Sequence, residues 1–213
     1  MQLPSSLLSA IEHAKGFSRN AFEEVHASGE QVVSVRMNPL KLAMVNGEWS
    51  MLDSQSTGLN RQQFIHHSPL TIQSSVPWSS SGYYLSERPL FTLDPLLHAG
   101  AYYVQEASSM FLEQAMKQTV DLSQPLFVLD LCAAPGGKST LLQSIISKES
   151  LLVSNEVIQA RVNILKENII KWGAGNVVVT NNDPSAFSKL HGLFDVLVID
   201  APCSGSGLFR RDA

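Results

Sequence analysis

Residues 126–140 join an apolar stretch to a turn of small residues, and no other part of the chain restricts the fold as strongly. Leu126 to Leu129 predicts a buried strand, and Asp130 stands near its carboxyl end. Ala133 to Gly137 predicts a tight turn that leads into a helix. Because ligands in an open α/β sheet bind at the carboxyl ends of its strands, we expect a binding site at this turn.

The residues of the turn indicate the chemistry of its ligand. Small side chains let a ligand approach the backbone, and the amino terminus of the next helix presents unpaired N–H groups. Asp130 disfavours a phosphate here and favours a ligand that carries hydroxyl or amino groups. We therefore predict a nucleoside cofactor whose tail is neutral or positively charged.

A phosphate-binding P-loop is the competing interpretation, because Gly137-Lys138-Ser139 matches the end of that motif. The complete motif also needs a glycine at position 132, where this chain has Cys132. Pro135 removes one of the N–H groups that would hold a phosphate. A P-loop nucleotidase stays an alternative, as does a strand-turn-helix unit that binds no ligand.

Composition indicates a globular protein of the reducing cytoplasm. Of the 213 residues, 44% are hydrophobic and 16% are charged, and no apolar run approaches the ~18 residues of a membrane span. Two cysteines, Cys132 and Cys203, do not form a disulfide framework. The net charge of −4 carries no general signature of nucleic-acid binding, although a local basic patch would not show in this total. We expect neither a membrane segment nor a metal site.

The apolar pattern divides the chain into two predicted domains, residues 1–94 and 95–213. Helical spacing over residues 4–28 and a strand from Val32 to Met37 predict a small α+β domain first. From Pro95 onward strands alternate with helices, which predicts an α/β domain with a parallel sheet. Its predicted elements are helices over 105–118, 137–147 and 158–171, and strands over 126–131, 151–154, 176–180 and 194–199.

The predicted parallel sheet has only four strands. The last one, Asp195 to Asp200, is apolar enough to be buried on both faces, and such strands usually have neighbours on both sides. We therefore expect that the chain is truncated or that the missing edge of the sheet comes from elsewhere. The alternative is that a helix covers this edge strand.

Polar residues follow the other predicted strands at positions that would face the same crevice. Glu156 ends the second strand, where an acid of nucleoside-binding folds accepts the ribose hydroxyls. Asp183 follows the third strand and could accept from an adenine amino group, although Asp183-Pro184 is also a common turn. Asp200 and Cys203 end the fourth strand and could place an acid and a thiol beside the cofactor. Cys203 could equally be a small buried residue.

Taken in order, these motifs resemble the Sun/Fmu-type family of RNA 5-methylcytosine methyltransferases, and most closely its bacterial small-subunit rRNA branch. The resemblance rests on four segments: Leu131 to Thr140, Asn155-Glu156, Asp200 to Gly207, and Ala99 to Met110. Gly82 to Leu85, Pro4 and Ser34 to Leu40 extend it into the first domain. It implies a Rossmann-like methyltransferase sheet, here incomplete, after an α+β domain that assists RNA binding.

The resemblance implies S-adenosylmethionine as cofactor and RNA, in particular small-subunit rRNA, as substrate. The loop Cys132, Ala133, Ala134, Pro135, Gly136, Gly137 and Lys138 would lie along the methionine moiety and the sugar. Glu156 would take the ribose hydroxyls, Asp183 the adenine side, and Arg161 would support that region from the following helix. Asp200 would contact the target cytosine, and Cys203 would help to release the methylated product.

One part of the family pattern is absent from these residues. The family's attacking nucleophile is a second cysteine, in a Thr-Cys motif on the next strand, which adds to cytosine C6 and activates C5. Cys132 belongs to the cofactor loop and is expected to serve in packing. We therefore expect this chain to bind cofactor without methylating RNA alone, and a non-catalytic RNA-binding fragment is a further alternative.

Overall fold

The computed structural model of the protein describes residues 3–28, 32–41 and 70–201. Helices α1 (Ser5–Ile11) and α2 (Arg19–Ser28) belong to one compact unit, and Val33–Asp200 forms a second. Within α2, Arg19 pairs with Glu23 one turn later at 3.0 Å. The two helices lie in the segment where helical spacing predicted them. Among the described residues, none of the helices has the length and apolar character needed to cross a bilayer.

The second unit contains an antiparallel sheet built from residues on either side of the undescribed segment. Its strands are β1 (Val33–Met37), β2 (Ile72–Ser75), β3 (Gly82–Leu85) and β4 (Tyr102–Val104), in the order β2-β3-β1-β4. Val35, Met37 and Tyr102 fill its core. β1 confirms the strand predicted at 32–37. β3 and β4 had no predicted counterpart, because their tyrosine pairs do not alternate between apolar and polar residues.

A parallel sheet of four strands carries the predicted binding edge. Its strands are β5 (Phe127–Asp130), β6 (Leu151–Asn155), β7 (Val177–Thr180) and β8 (Val196–Val198), in the order β7-β6-β5-β8. The chain moves outward from β5 to β6 and β7, and then returns to the other side of β5 with β8. This reversal of strand order marks the point where doubly wound sheets bind ligands. The α/β class and the parallel sheet are confirmed.

Among the described residues four helices accompany the two sheets; the last two are close to the helices predicted at 137–147 and 158–171, and the first has no predicted counterpart. They are α3 (Pro95–His98), α4 (Leu112–Thr119), α5 (Gly137–Ile145) and α6 (Gln159–Trp172). The helix predicted at 105–118 is divided, because residues 107–111 form a 3₁₀ turn before α4 begins. Gly173 ends α6 with φ of 90°, a left-handed conformation that glycine adopts without steric cost.

The two faces of the parallel sheet differ in how well they are covered. Val128 and Leu152 pack with Leu142 of α5 and Met116 of α4 on one face. On the other face, the side chains of Val178, Leu197 and Ile199 are 47%, 54% and 56% exposed. Among the described residues the fourth strand is therefore packed on one face only, and the further neighbour that its apolar sequence predicts stays a prediction. Within this described part of the chain β8 pairs with β5 alone, and Leu197 and Ile199 stay about half exposed.

Both sheets belong to the compact unit Val33–Asp200. The structure therefore does not itself separate the chain between residues 94 and 95, and the division into domains at that point stays a prediction.

Candidate functional site

Asp130 is completely buried at the carboxyl end of β5, and a chain of hydroxyl groups fixes its side chain. Its Oδ2 accepts a hydrogen bond of 2.7 Å from Ser139 Oγ, which in turn accepts one of 2.9 Å from Ser154 Oγ. Its Oδ1 is also buried and has no hydrogen-bond partner among the described residues. A buried acceptor left unpaired costs about 1–3 kcal/mol, so Oδ1 favours a ligand that donates to it.

Burial raises the pKa of Asp130 to about 6. The hydrogen bond from Ser139, the nearby charge of Lys138 and the backbone N–H of Cys132 act in the opposite direction, and the negative charge of Asp200 adds to the increase. At neutral pH the carboxylate is ionised in surroundings that destabilise it. A cationic ligand group near Oδ1 would remove that destabilisation.

The turn that follows depends on glycine at position 136. Gly136 has φ of 111°, and a Cβ atom there would lie 3.2 Å from Leu165 Cδ1. Thr140 Oγ1 donates a hydrogen bond of 2.8 Å to the Gly136 carbonyl from the first turn of α5. The turn is therefore held tightly between α5 and α6.

Replacing Gly136 with alanine is expected to lower the free energy of unfolding by about 1–2 kcal/mol, because an L-residue is strained at this φ. Urea denaturation followed by circular dichroism measures the change. Gly175→Ala is the matched control, since its added Cβ meets nothing within 4 Å. An equal effect of the two substitutions would contradict the requirement for glycine at position 136.

Glu156 and Arg161 lie together beside the turn. Glu156 is buried just after β6, and its Oε1 accepts a hydrogen bond of 3.0 Å from the Ile158 N–H. Its Oε2 lies 3.2 Å from Arg161 Nη1, but this oxygen accepts no hydrogen bond within the described residues. Arg161 Nη2 donates to the Ala134 carbonyl at 2.6 Å. Arg161 thus connects the acid at the end of β6 to the loop after β5.

Asp183 is used by the local turn. Its Oδ1 accepts from the Ser185 N–H at 2.8 Å and from the Ser185 hydroxyl at 2.6 Å, and these bonds lower the pKa of Asp183. It caps the 3₁₀ helix Pro184–Lys189. This is the turn role that the Asp183-Pro184 sequence predicts, and adenine binding by the remaining carboxylate oxygen stays a prediction.

Asn155 is a buried residue of the site that sequence reasoning did not select. Its Nδ2 donates to the carbonyls of Leu131 and Asn182, and its Oδ1 accepts from the Asn182 N–H and the Thr180 hydroxyl. It therefore joins the loops that follow β5 and β7. The available signal was a polar residue directly before Glu156 at the end of an apolar strand.

Lys138 and Asp200 form an ion pair across the point where the strand order reverses. Lys138 Nζ lies 2.6 Å from Asp200 Oδ2, and the two side chains are 27% and 60% exposed. The pair joins the start of α5 to the carboxyl end of β8 and leaves the carboxylate partly open to a further ligand. In this structure the lysine of the P-loop-like sequence is paired with a carboxylate. Cys203 lies outside the described residues.

Cys132 is poorly suited to act as a nucleophile. Burial raises the pKa of its thiol, and the negative charges of Glu156, Asp130 and Asp200 raise it further, with Arg161 acting in the opposite direction. A raised pKa reduces the fraction of thiolate, which is the reactive form. This chemistry agrees with the packing role expected for Cys132.

Comparison with protein families matches both parts of the chain to 16S rRNA methyltransferases. Residues 117–213 match the family described as 16S rRNA methyltransferase RsmB/F. Residues 3–107 match the family described as the N-terminal domain of 16S rRNA methyltransferase RsmF. Together the two matches extend over most of the sequence.

Individual relatives carry a related name. The chain is 36% identical over 140 residues to ribosomal RNA small subunit methyltransferase F of Shewanella woodyi, covering 64% of this chain and 29% of the relative. The protein of the same name from Aeromonas salmonicida is 36% identical over 143 residues, covering 65% and 30%. The chain thus covers about 30% of the length of these curated relatives.

Solved structures share the fold. A methyltransferase homolog protein from Pyrococcus horikoshii has a TM-score of 0.64 and 24% identity, covering 96% of this chain and 65% of that one. NSun6 from Pyrococcus horikoshii with SFG also has a TM-score of 0.64, with 14% identity over 94% of this chain and 71% of that one. These similarities support a methyltransferase fold that includes both sheets.

Proposed function

The chain belongs to the 16S rRNA methyltransferase RsmB/F family, and we propose that the turn after β5 binds S-adenosylmethionine for methyl transfer to cytosine C5 of small-subunit rRNA. Family membership favours this function over a P-loop nucleotidase. The pairing of Lys138 with Asp200 agrees with that choice, because the P-loop function would need this lysine at a phosphate.

One observation carries the cofactor proposal: two buried carboxylate oxygens without hydrogen bonds stand at the ends of neighbouring strands. These are Asp130 Oδ1 after β5 and Glu156 Oε2 after β6. The methionine part of the cofactor carries an ammonium group that can donate to Asp130 Oδ1. Its ribose carries two hydroxyls that can donate to Glu156 Oε2, which already lies 3.2 Å from Arg161 Nη1. When bound, S-adenosylmethionine supplies a methyl group on a positively charged sulfur.

The other loop residues complete the proposed cofactor site. Small residues from Ala133 to Gly137 leave room beside the backbone, and Arg161 holds the Ala134 carbonyl in place. Asp183 caps the 3₁₀ helix that follows β7. Its second carboxylate oxygen is proposed to accept a hydrogen bond from the adenine amino group.

The target base is proposed to bind at the Lys138–Asp200 pair, next to the cofactor turn. Lys138 orients the Asp200 carboxylate, and the exposure of that carboxylate leaves it accessible to the amino group of a cytosine. Cys203 follows three residues later in the sequence and is proposed to help release the methylated product.

C5 of cytosine is a weak nucleophile, and methylation at C5 requires prior addition of a thiolate at C6. The environment of Cys132 disfavours a thiolate, and Cys203 is proposed for product release. We propose that the attacking thiolate belongs to the Thr-Cys strand of the family pattern. On this basis residues 1–213 bind the cofactor but do not transfer its methyl group.

Methyl transfer to transcribed small-subunit rRNA tests this proposal, with tritium-labelled S-adenosylmethionine and a full-length relative as the positive control. We expect the relative to produce 5-methylcytosine in the digested RNA and the 1–213 chain to incorporate no label. Steady incorporation by the 1–213 chain would contradict the proposed origin of the thiolate. A product other than 5-methylcytosine from the relative would contradict the proposed C5 chemistry.

A further inference from the structure

Arg36 on β1 is completely buried, yet it makes no ion pair with an acid in the described part of the chain. Its partners are neutral groups, and its guanidinium carbon lies 4.4 Å from the centroid of the Trp172 ring. Burial lowers its pKa to about 9, against the smaller opposing effects of Tyr103 and Glu113. Removing a cation from water is costly, so an apolar side chain would serve packing alone at least as well.

The hydrogen bonds of Arg36 use all five of its N–H groups, and four of the five end on α5. Nε donates to Gln105 Oε1 at 2.8 Å. The remaining donors contact Thr140 O and Ser144 Oγ, both at 3.3 Å, Gly137 O at 3.2 Å and Thr140 Oγ1 at 2.6 Å. The planar guanidinium, whose donors have a fixed geometry, therefore binds acceptors on the first two turns of α5 at once.

These contacts lead directly to the glycine turn. Thr140 Oγ1, which accepts from Arg36, donates in turn to the Gly136 carbonyl at 2.8 Å. Gly137, the second glycine of the turn, is held by Arg36 through its own carbonyl. A side chain of the antiparallel sheet thereby fixes the backbone at the carboxyl edge of the parallel sheet.

The residue that follows β1 also fixes the helix on the other side of the turn. Asn38 Nδ2 donates to the Trp172 carbonyl at 2.8 Å, at the end of α6. Asn168, one turn earlier in α6, donates to the Pro135 carbonyl at 2.8 Å. β1 and the residue after it thus contact both helices between which the turn is held.

We propose that Arg36 is a positioning residue for the cofactor turn, acting through Thr140 and Gly137 rather than by touching the cofactor. This inference rests on the proposed function of the turn. It assigns the antiparallel sheet a part in cofactor binding. Lysine cannot replace Arg36, because a single ammonium group cannot reach acceptors on both turns of α5.

The test compares Arg36→Lys, Thr140→Val and their double variant, with Arg88→Lys as the matched control. Arg88 is exposed, and its guanidinium lies against Phe91, away from α5. Calorimetry measures the dissociation constant for S-adenosylhomocysteine, circular dichroism reports folding, and ¹H–¹⁵N spectra report the Gly136 and Gly137 amides.

Arg36→Lys is expected to weaken binding about tenfold, the effect of losing a buried hydrogen bond to a charged donor. Thr140→Val is expected to weaken binding in the same direction and to shift the Gly136 amide, and the double variant is expected to bind no more weakly than the weaker single variant. Arg88→Lys is expected to change the dissociation constant less than about twofold, as for a surface substitution. If Arg36→Lys does not fold, Thr140→Val still decides the question.

Unchanged affinity and unchanged glycine amides in folded Arg36→Lys or Thr140→Val would overturn the positioning role. Losses of affinity that are additive in the double variant would overturn the shared path through Thr140. Failure of the unsubstituted chain to bind S-adenosylhomocysteine would instead contradict the proposed function. In that case the glycine amide shifts still decide whether Arg36 holds the turn.

Discussion

Replacing Glu156 with glutamine is expected to weaken binding of S-adenosylmethionine about 100-fold, because each hydrogen bond to a charged acceptor contributes about 1.5–3 kcal/mol. The ribose hydroxyls are the proposed donors to Oε2, which is buried and has no hydrogen bond among the described residues. Glutamine preserves the shape of the side chain but removes its charge. The Arg161 guanidinium keeps its bond to the Ala134 carbonyl, so the loop is expected to stay folded.

Calorimetric titration of both proteins measures this change. Glu149→Gln is the matched control, since Glu149 is an exposed glutamate just before β6, at the opposite end of the strand from Glu156. Its substitution is expected to leave the affinity unchanged. Equal affinity of Glu156→Gln and the unsubstituted chain would show that Glu156 does not bind the ribose.

Binding of S-adenosylmethionine is expected to strengthen about tenfold between pH 5 and 7, because the pKa of Asp130 is raised to about 6. Below that pH the carboxyl group is largely protonated and loses its attraction for the ammonium group of the cofactor. Asp130→Asn removes this dependence and is expected to bind more weakly at neutral pH. Calorimetry across a series of buffers gives both results.

The same pKa shift affects the stability of the cofactor-free chain in the opposite sense. The pKa of Asp130 rises on folding from 3.8 to about 6, so the folded state holds the proton more tightly. The contribution of Asp130 to the free energy of unfolding is therefore greatest below pH 3.8 and is lost as the pH rises through about 6. Asp130→Asn is expected to abolish that contribution.

Asp121→Asn is the control for both measurements, because hydrogen bonds from Ser123 lower the pKa of that exposed acid. Its substitution is expected to leave the pH dependence of binding between pH 5 and 7 unchanged. The account of Asp130 would be wrong if cofactor affinity in the unsubstituted chain were constant over this range.

The parts of the site that follow one another along the sequence were predictable. The strand, the turn and the helix from Phe127 to Ile145 are encoded by local apolar and small residues. Glu156 was found because the end of a parallel strand fixes where the next residue lies. These features depend on short-range patterns, which periodicity detects.

The features that sequence reasoning missed depend on contacts between distant residues. Arg36 meets Thr140 across more than 100 positions, and Asn155 joins two loops that only the sheet brings together. The strands β3 and β4 are recognisable only through their pairing with β1. The exposure of β8 on one face could not be predicted, because it depends on which helices cover the sheet.

The most direct test of the central claim is calorimetric titration of the 1–213 chain with S-adenosylmethionine and, separately, with Mg-ATP. The two buried carboxylate oxygens at the turn predict saturable binding of S-adenosylmethionine at one site and no binding of Mg-ATP. Binding of Mg-ATP without binding of S-adenosylmethionine would contradict the account and restore the phosphate-binding interpretation of Gly137-Lys138-Ser139.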